Sequence, residues 1–289
     1  MKGIKGLILF GFLAFLSSCF EPPEYENAPV ATFNSIEFKV TPELADADSL
    51  ILYINFRDGD GDMGLDDSYR SDPYHERNFF YEDPGSENNI KAVGTILQGV
   101  NRPPYPTTIP MIVTPPTGKL VTNRTRNKPG FETLPPFSSA TLDCQDYTVQ
   151  YILIAPAAKN AIDETYAIVD TLRDQSQNEY YLLYDTTYFE TNLNHYNILV
   201  RFFESNGGPF TEFSWEEELC STFNGRYPVL TDKTNIPLEG TIRYSMVSAG
   251  FIPLFSIKNL KLEVTVKDRA FNQSTFTTPE FTLDKIRVN

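Results

Sequence analysis

Residues 258–268 read KNLKLEVTVKD, in which Leu260, Leu262, Val264 and Val266 alternate with Lys261, Glu263, Thr265 and Lys267. Strict two-residue alternation puts the apolar side chains on one face of an extended strand and the polar ones on the other. The same spacing recurs in SLILYINFRD (49–58), with Leu50, Leu52, Ile54 and Phe56 on one side, and in NSIEFKV (34–40), with Ile36, Phe38 and Val40. Half-buried strands of this kind belong to antiparallel sheets.

Working outward, residues 196–215, YNILVRFFESNGGPFTEFSW, hold two strand-like runs around Asn206-Gly207-Gly208-Pro209, which reads as a hairpin. Further strands are expected at 147–154, 180–184, 240–247 and 273–282, while 156–175 has helix formers and a strand pattern in competition. Many short strands separated by Gly, Pro, Asn and Asp give an all-β fold, an immunoglobulin-like β-sandwich (one large or two packed) over residues 31–289. NRPPYPTTIP, TPPTG and LPPF crowd prolines into 101–137, and each proline deletes a ladder donor. A long, Pro-rich, mostly irregular insertion is therefore expected at about 58–140.

The chain opens MKGIKGLILFGFLAFLSSC. Lys2 and Lys5 precede an apolar and glycine run from Gly6 to Leu16, which is too short to span a bilayer, where about 20 residues are needed. Residues 1–18 thus read as a signal peptide, and Leu16-Ser17-Ser18-Cys19 resembles the lipobox of bacterial lipoproteins, in which the cysteine is lipidated. Residues 19–30, including FEPPEYENAPV, are proline-rich and acidic, so they are expected to be a flexible, extended tether. Glu21, Glu24 and Glu26 also resemble the export signals of surface lipoproteins in the Bacteroidota, which favours the outer membrane with the protein facing the cell surface; the periplasmic face is the alternative.

The formal charge is −14, or −16 once residues 1–18 with their two lysines are removed. That argues against nucleic acid as a partner and fits a surface that binds cations. Lipidation of Cys19 leaves Cys144 and Cys220, without CxxC or Cys/His spacing for zinc; in an oxidising location they are expected to form a disulfide.

The acidic stretch FRDGDGDMGLDD (56–67) follows directly on a strand. Asp58, Asp60 and Asp62 alternate with Gly59 and Gly61, so the backbone can curl and bring the carboxylates toward one point. Carboxylates 5 to 6 Å apart repel by about 3 kcal/mol per pair at an effective dielectric of 20, which a cation would relieve. Hard oxygen ligands at that spacing suit calcium, with a backbone carbonyl near Gly64 and Asp66 or Asp67 completing the set. The pattern resembles an EF-hand loop but departs from it: Met63 stands where that family has glycine, Tyr69 where it has glutamate, and a strand precedes it. A structural calcium site at the edge of a β-domain is expected; the alternative is a solvated acidic turn.

Taken together, the lipobox at Cys19, the strand with DGDGDMGL, FNGRYPVL (223–230), LEGTIRYSM (238–246) and VKDRAFNQSTFTTPEFTL (266–283) resemble a family of Bacteroidota outer-membrane lipoproteins. The resemblance implies that Asp58, Asp60 and Asp62 are metal ligands and that Asp268 and Asn272 form the turn closing an immunoglobulin-like strand pair. It also implies service as an accessory subunit on a larger outer-membrane machine.

Neither His75 nor His195 lies in HExxH or beside a GxSxG elbow, and no Walker loop or dinucleotide fingerprint is present. The aromatics Phe79, Phe80, Tyr81, Tyr180, Tyr181, Tyr184, Tyr188 and Phe189 suit core or cross-strand pairs, or a stacking platform for sugars. The expectation is therefore a non-catalytic, lipid-anchored accessory or docking subunit of an outer-membrane protein complex. A glycan-binding lipoprotein of a nutrient-uptake system is the first alternative and a hydrolase the second.

Overall fold

In the computed structural model, residues 24–41, 47–70, 72–82, 90–94, 96–99, 108–112, 119–124, 147–162, 166–173, 176–231, 233 and 235–288 are described. The chain begins with β1 (Val30–Lys39) and β2 (Asp48–Asp58), paired antiparallel. In β2 the alternation has its expected effect: Leu50, Leu52 and Ile54 are fully buried and Phe56 nearly so. β1 carries a bulge between Phe33 and Ser35, which shifts the parity of the strand. Ala31 and Phe33 before the bulge and Ile36 and Phe38 after it therefore all pack on one core.

An inserted sheet follows. It contains β3 (Arg77–Glu82), β4 (Ile90–Gly94), β5 (Ile96–Gly99), β6 (Thr108–Ile112), β7 (Tyr147–Ile154), β8 (Ile168–Arg173) and β9 (Glu179–Thr191). The order is β4-β3-β9-β7-β6-β5, with β8 also on β9. The expected irregular insertion is thus corrected where it is described: four strands lie within 58–140, and the inserted sheet continues to β9. Apolar burial outweighs proline here. Ile109, Met111 and Ile112 of β6 are buried, and the parallel pairing with β7 starts at Met111, just past Pro110 with its missing N–H. Most of the proline-rich stretch lies outside the described residues. The competition at 156–175 resolves into a 3-10 turn at Pro156–Ala161, burying Ala158 and Ala161, and then β8.

The chain then returns to the sandwich through β10 (Ile198–Ser205), β11 (Thr211–Phe213), the short helix α1 (Trp215–Leu219), β12 (Leu238–Ser248), α2 (Phe251–Phe255), β13 (Asn259–Lys267), β14 (Gln273–Thr277) and β15 (Arg287–Val288). Two four-stranded sheets result, β12-β2-β1-β15 and β11-β10-β13-β14. The expected hairpin is β10–β11, and all four apolar residues of KNLKLEVTVKD are fully buried in β13. Both sheets contribute to one core, with Leu50, Leu52 and Ile54 from the first and Val200, Phe202, Leu262 and Val264 from the second. At one end Trp215 packs edge-on against Phe202, Phe213, Phe223, Phe251 and Phe255, at centroid distances of 4.7 to 5.8 Å. At the opposite edge the sheets approach closely enough for the Ala31 amide to donate to Ser274 Oγ at 2.9 Å.

Candidate metal centre

β2 and β13 lie in opposite sheets, and Asp58, which ends β2, and Asp268, which follows β13, come together at one end of the sandwich. Asp62, from the loop after β2, joins them. Among the described residues these three offer carboxylate oxygens that all lie within 4.8 Å of one another.

The loop is held in place from several sides. Met63, at the position where an EF-hand has glycine, is a fully buried plug that bridges to Asp268 and receives the Tyr227 hydroxyl on its sulfur at 3.4 Å. The Leu65 amide donates to Tyr227 O at 2.9 Å. Between them Gly64 has φ +95°, and a Cβ there would collide with Pro228 O and the Val229 backbone, so only glycine fits. Arg226 completes the support: its Nη1 donates to Asp66 O and Tyr69 O, its Nη2 to Tyr74 O, and its Nε to His195 O. FNGRYPVL is therefore the wall behind the acidic loop, a role that no local spacing in that motif announces.

The carboxylates themselves are only half satisfied. Asp58 is fully buried; its Oδ2 accepts the Asp62 amide at 3.0 Å, and its Oδ1 has no hydrogen-bond donor. Asp62 Oδ2 accepts the Ala270 amide at 3.1 Å, and its Oδ1 is likewise buried and without a donor. Asp268 is fixed by Asn272, whose amide donates to Oδ1 and whose Nδ2 donates to Oδ2, both at 2.8 Å. Burial, reinforced by the neighbouring carboxylates, pushes Asp58 up to about 7 and Asp62 up to about 6. Burial also raises Asp268, against the Asn272 hydrogen bonds that lower it. Arg269 lowers Asp62 somewhat, but its guanidinium donates to Gly64 O at 3.3 Å.

A buried carboxylate oxygen without a donor costs about 1 to 3 kcal/mol or more. Two such oxygens converging with a third carboxylate suit a hard cation. Ligands bound opposite one another at about 2.4 Å on calcium sit about 4.8 Å apart, so one ion can span this group.

The residues singled out from sequence divide as follows. Asp58 and Asp62 converge. Asp60 sits beside them with Oδ1 accepting the Asp62 amide at 3.3 Å. The Gly64 carbonyl accepts from Arg269, and exposed Asp66 accepts the Ser68 amide at 2.8 Å, closing the next turn. Asp67 is exposed. Asp268 forms the expected turn with Asn272 and is also part of the cluster. Its signal was in the sequence: INFRD and VTVKD are both alternating strands that end in a basic residue followed by aspartate.

Other candidates find ordinary partners. His75 is buried, with Nε2 2.6 Å from Asn78 Oδ1 and Nδ1 without a hydrogen bond, 3.6 Å from Asp72 Oδ1; His195 Nδ1 lies 3.0 Å from Tyr74 O and 2.8 Å from Arg226 Nη2. Phe79, Tyr188 and Phe189 are buried and take no part in an open platform; Tyr184 is exposed and packs on Tyr151 at 4.7 Å. Cys220 is disulfide-bonded; its expected partner Cys144 and the expected lipidation site Cys19 lie outside the described residues.

No protein-family model, curated protein or solved structure matches the chain.

Proposed function

We propose that the chain is a non-catalytic, lipid-anchored β-sandwich lipoprotein of the outer membrane, facing the cell surface, that serves as an accessory or docking subunit of an outer-membrane protein complex. One calcium ion held by Asp58, Asp62 and Asp268 braces the sandwich. The observation that carries the calcium reading is the fully buried, donor-free Oδ1 of Asp58, set among carboxylates from two separate segments. The metal supplies positive charge where the fold has gathered three negative ones, and its role is architectural.

The strand order supports an immunoglobulin-like connectivity, with β2–β12 pairing in one sheet and β10–β13–β14 in the other. The inserted sheet supports docking, since it enlarges the protein without contributing to the sandwich core. Calcium titration of the purified chain tests the brace, with heat and a raised melting temperature expected. Native-level purification in detergent tests docking: a membrane-protein partner is expected, and recovery as a lone monomer contradicts it.

One observation favours glycan binding as a second reading. The outer face of β12-β2-β1 forms an open groove of about 600 Å³ lined by Thr32, Asn55, Arg57, Glu239 and Thr241. Asn55 Oδ1 accepts from Asn34 Nδ2 and Thr241 Oγ1, which fixes the amide on that face. A glycan array without binding removes this reading.

A further inference from the structure

Residues 24–29 precede β1 in the stretch expected to be a free tether, yet Tyr25 and Glu26 meet the acidic loop. The Gly59 amide donates to Glu26 O at 2.9 Å. A Cβ at Gly59 would collide with the carbonyl oxygens of Tyr25 and Glu26, so the two backbones meet only because this residue is glycine. The Tyr25 hydroxyl donates to Glu239 Oε2 at 2.7 Å, and the Arg57 guanidinium lies 5.7 Å from the centre of the Tyr25 ring. Arg57 and Glu239 are paired across β2 and β12, with 3.6 Å between Nε and Oε2.

Each of these contacts adjoins Asp58. Arg57 precedes it, Gly59 follows it, and Glu239 follows Leu238, the residue paired with it. The Gly59 amide that holds Glu26 thus lies next in the chain to a carboxylate of the cluster. Asp268 is anchored by Asn272, Asp58 by the β2–β12 ladder and Asp62 by the Ala270 and Arg269 amides, while the stretch between Asp58 and Asp62 holds two glycines. When the carboxylates repel, the link from Gly59 to Gly61, between those anchored ends, is where the chain can give.

We propose that the Asp58–Asp62–Asp268 site is a cation-operated latch for the N-terminal tether. A bound divalent cation fixes the loop in the form that holds Tyr25 and Glu26, and its loss releases residues 24–29. The latch rests on the calcium reading above and adds to it a consequence for the anchor. If Cys19 carries the lipid, Tyr25 lies six residues from it, a reach of at most about 20 Å; with the segment released, the reach to Val30 grows to at most about 40 Å. Cation occupancy thus sets how far the sandwich can stand from the membrane.

Hydrogen exchange of the full mature chain in detergent, in 1 mM calcium and in EGTA, reads the latch directly, with calorimetry on the same sample. Exchange at the Gly59 amide, whose acceptor is Glu26 O, is expected to slow at least tenfold in calcium. Linkage is reciprocal, so Tyr25→Ala, which removes tether contacts without touching a carboxylate of the cluster, should weaken calcium binding by threefold or more. Calcium heat with exchange at the Gly59 amide unchanged within twofold overturns the latch and leaves the cation site standing. Unaltered calcium affinity in Tyr25→Ala overturns the latch in the same way. Absence of calcium heat in the wild-type chain overturns both.

Discussion

Replacing Asp58 by asparagine should have opposite effects in the two states of the proposed cation site. Asparagine has nearly the same shape, and its Oδ1 can still accept the Asp62 amide that Asp58 Oδ2 accepts at 3.0 Å. In the metal-free protein the substitution removes a fully buried charge from within 4.8 Å of two other carboxylates. Each such pair repels by about 3 kcal/mol at an effective dielectric of 20. Partial protonation of the cluster and loop relaxation reduce the net gain to about 2 kcal/mol at pH 8. For a chain of this size that corresponds to a rise in melting temperature of about 4 to 8 °C in EGTA. With calcium at 100 times its dissociation constant, the wild type gains about 2.7 kcal/mol, and the variant loses most of that gain with its ligand. Thermal melts of the two proteins in EGTA and in calcium should therefore cross: the variant is more stable without metal, and the wild type catches up or overtakes it with metal. A variant destabilised equally in both conditions would mean that Asp58 is held by the protein alone, and the reasoning would fail.

The cluster also fixes the sign of the pH dependence. Burial raises Asp58 to about 7 and Asp62 to about 6, above their unfolded values. The metal-free fold therefore holds extra protons between about pH 4 and 7, and the stability these groups contribute is lost as pH rises through 7. Calcium competes with the same protons, so affinity measured by calorimetry should fall at least tenfold from pH 8 to 5.5. Arg226→Ala strips donors from the carbonyls of Asp66, Tyr69, Tyr74 and His195; a loss of about 2 to 3 kcal/mol in urea unfolding is expected, and lysine, without the planar fork, should restore little of it. Peptide mapping without reduction should find Cys220 joined to Cys144, and reduction should cost about 4 to 5 kcal/mol for so long a loop. Recovery of Cys220 bonded to any other cysteine removes that pairing.

Much of the sandwich was legible because its signal is local. The alternation in β2 and β13 reports directly on which face is buried, and Asn206-Gly207-Gly208 marks the β10–β11 reversal. The inserted strands were harder to see, since proline counts argue against a strand while Ile109, Met111 and Ile112 argue for one, and only the pairing with β5 and β7 decides between them. The acidic loop was legible as a concentration of charge, but its partners were not. A linear reading runs forward to Asp66 and Asp67, whereas the fold turns those side chains outward and supplies Asp268 from some two hundred residues downstream. Composition likewise marked residues 24–29 as free tether; their docking depends on Gly59 and Glu239, which no property of the segment itself encodes.

The proposed site holds one cation across two segments and not within the DGDGD loop alone. Calcium calorimetry on the wild type, Asp268→Asn and Asp66→Asn tests it most directly. One ion per chain is predicted, bound at least tenfold more weakly in Asp268→Asn and with unchanged affinity in Asp66→Asn. Unchanged binding in Asp268→Asn, or a loss confined to Asp66→Asn, would contradict the account.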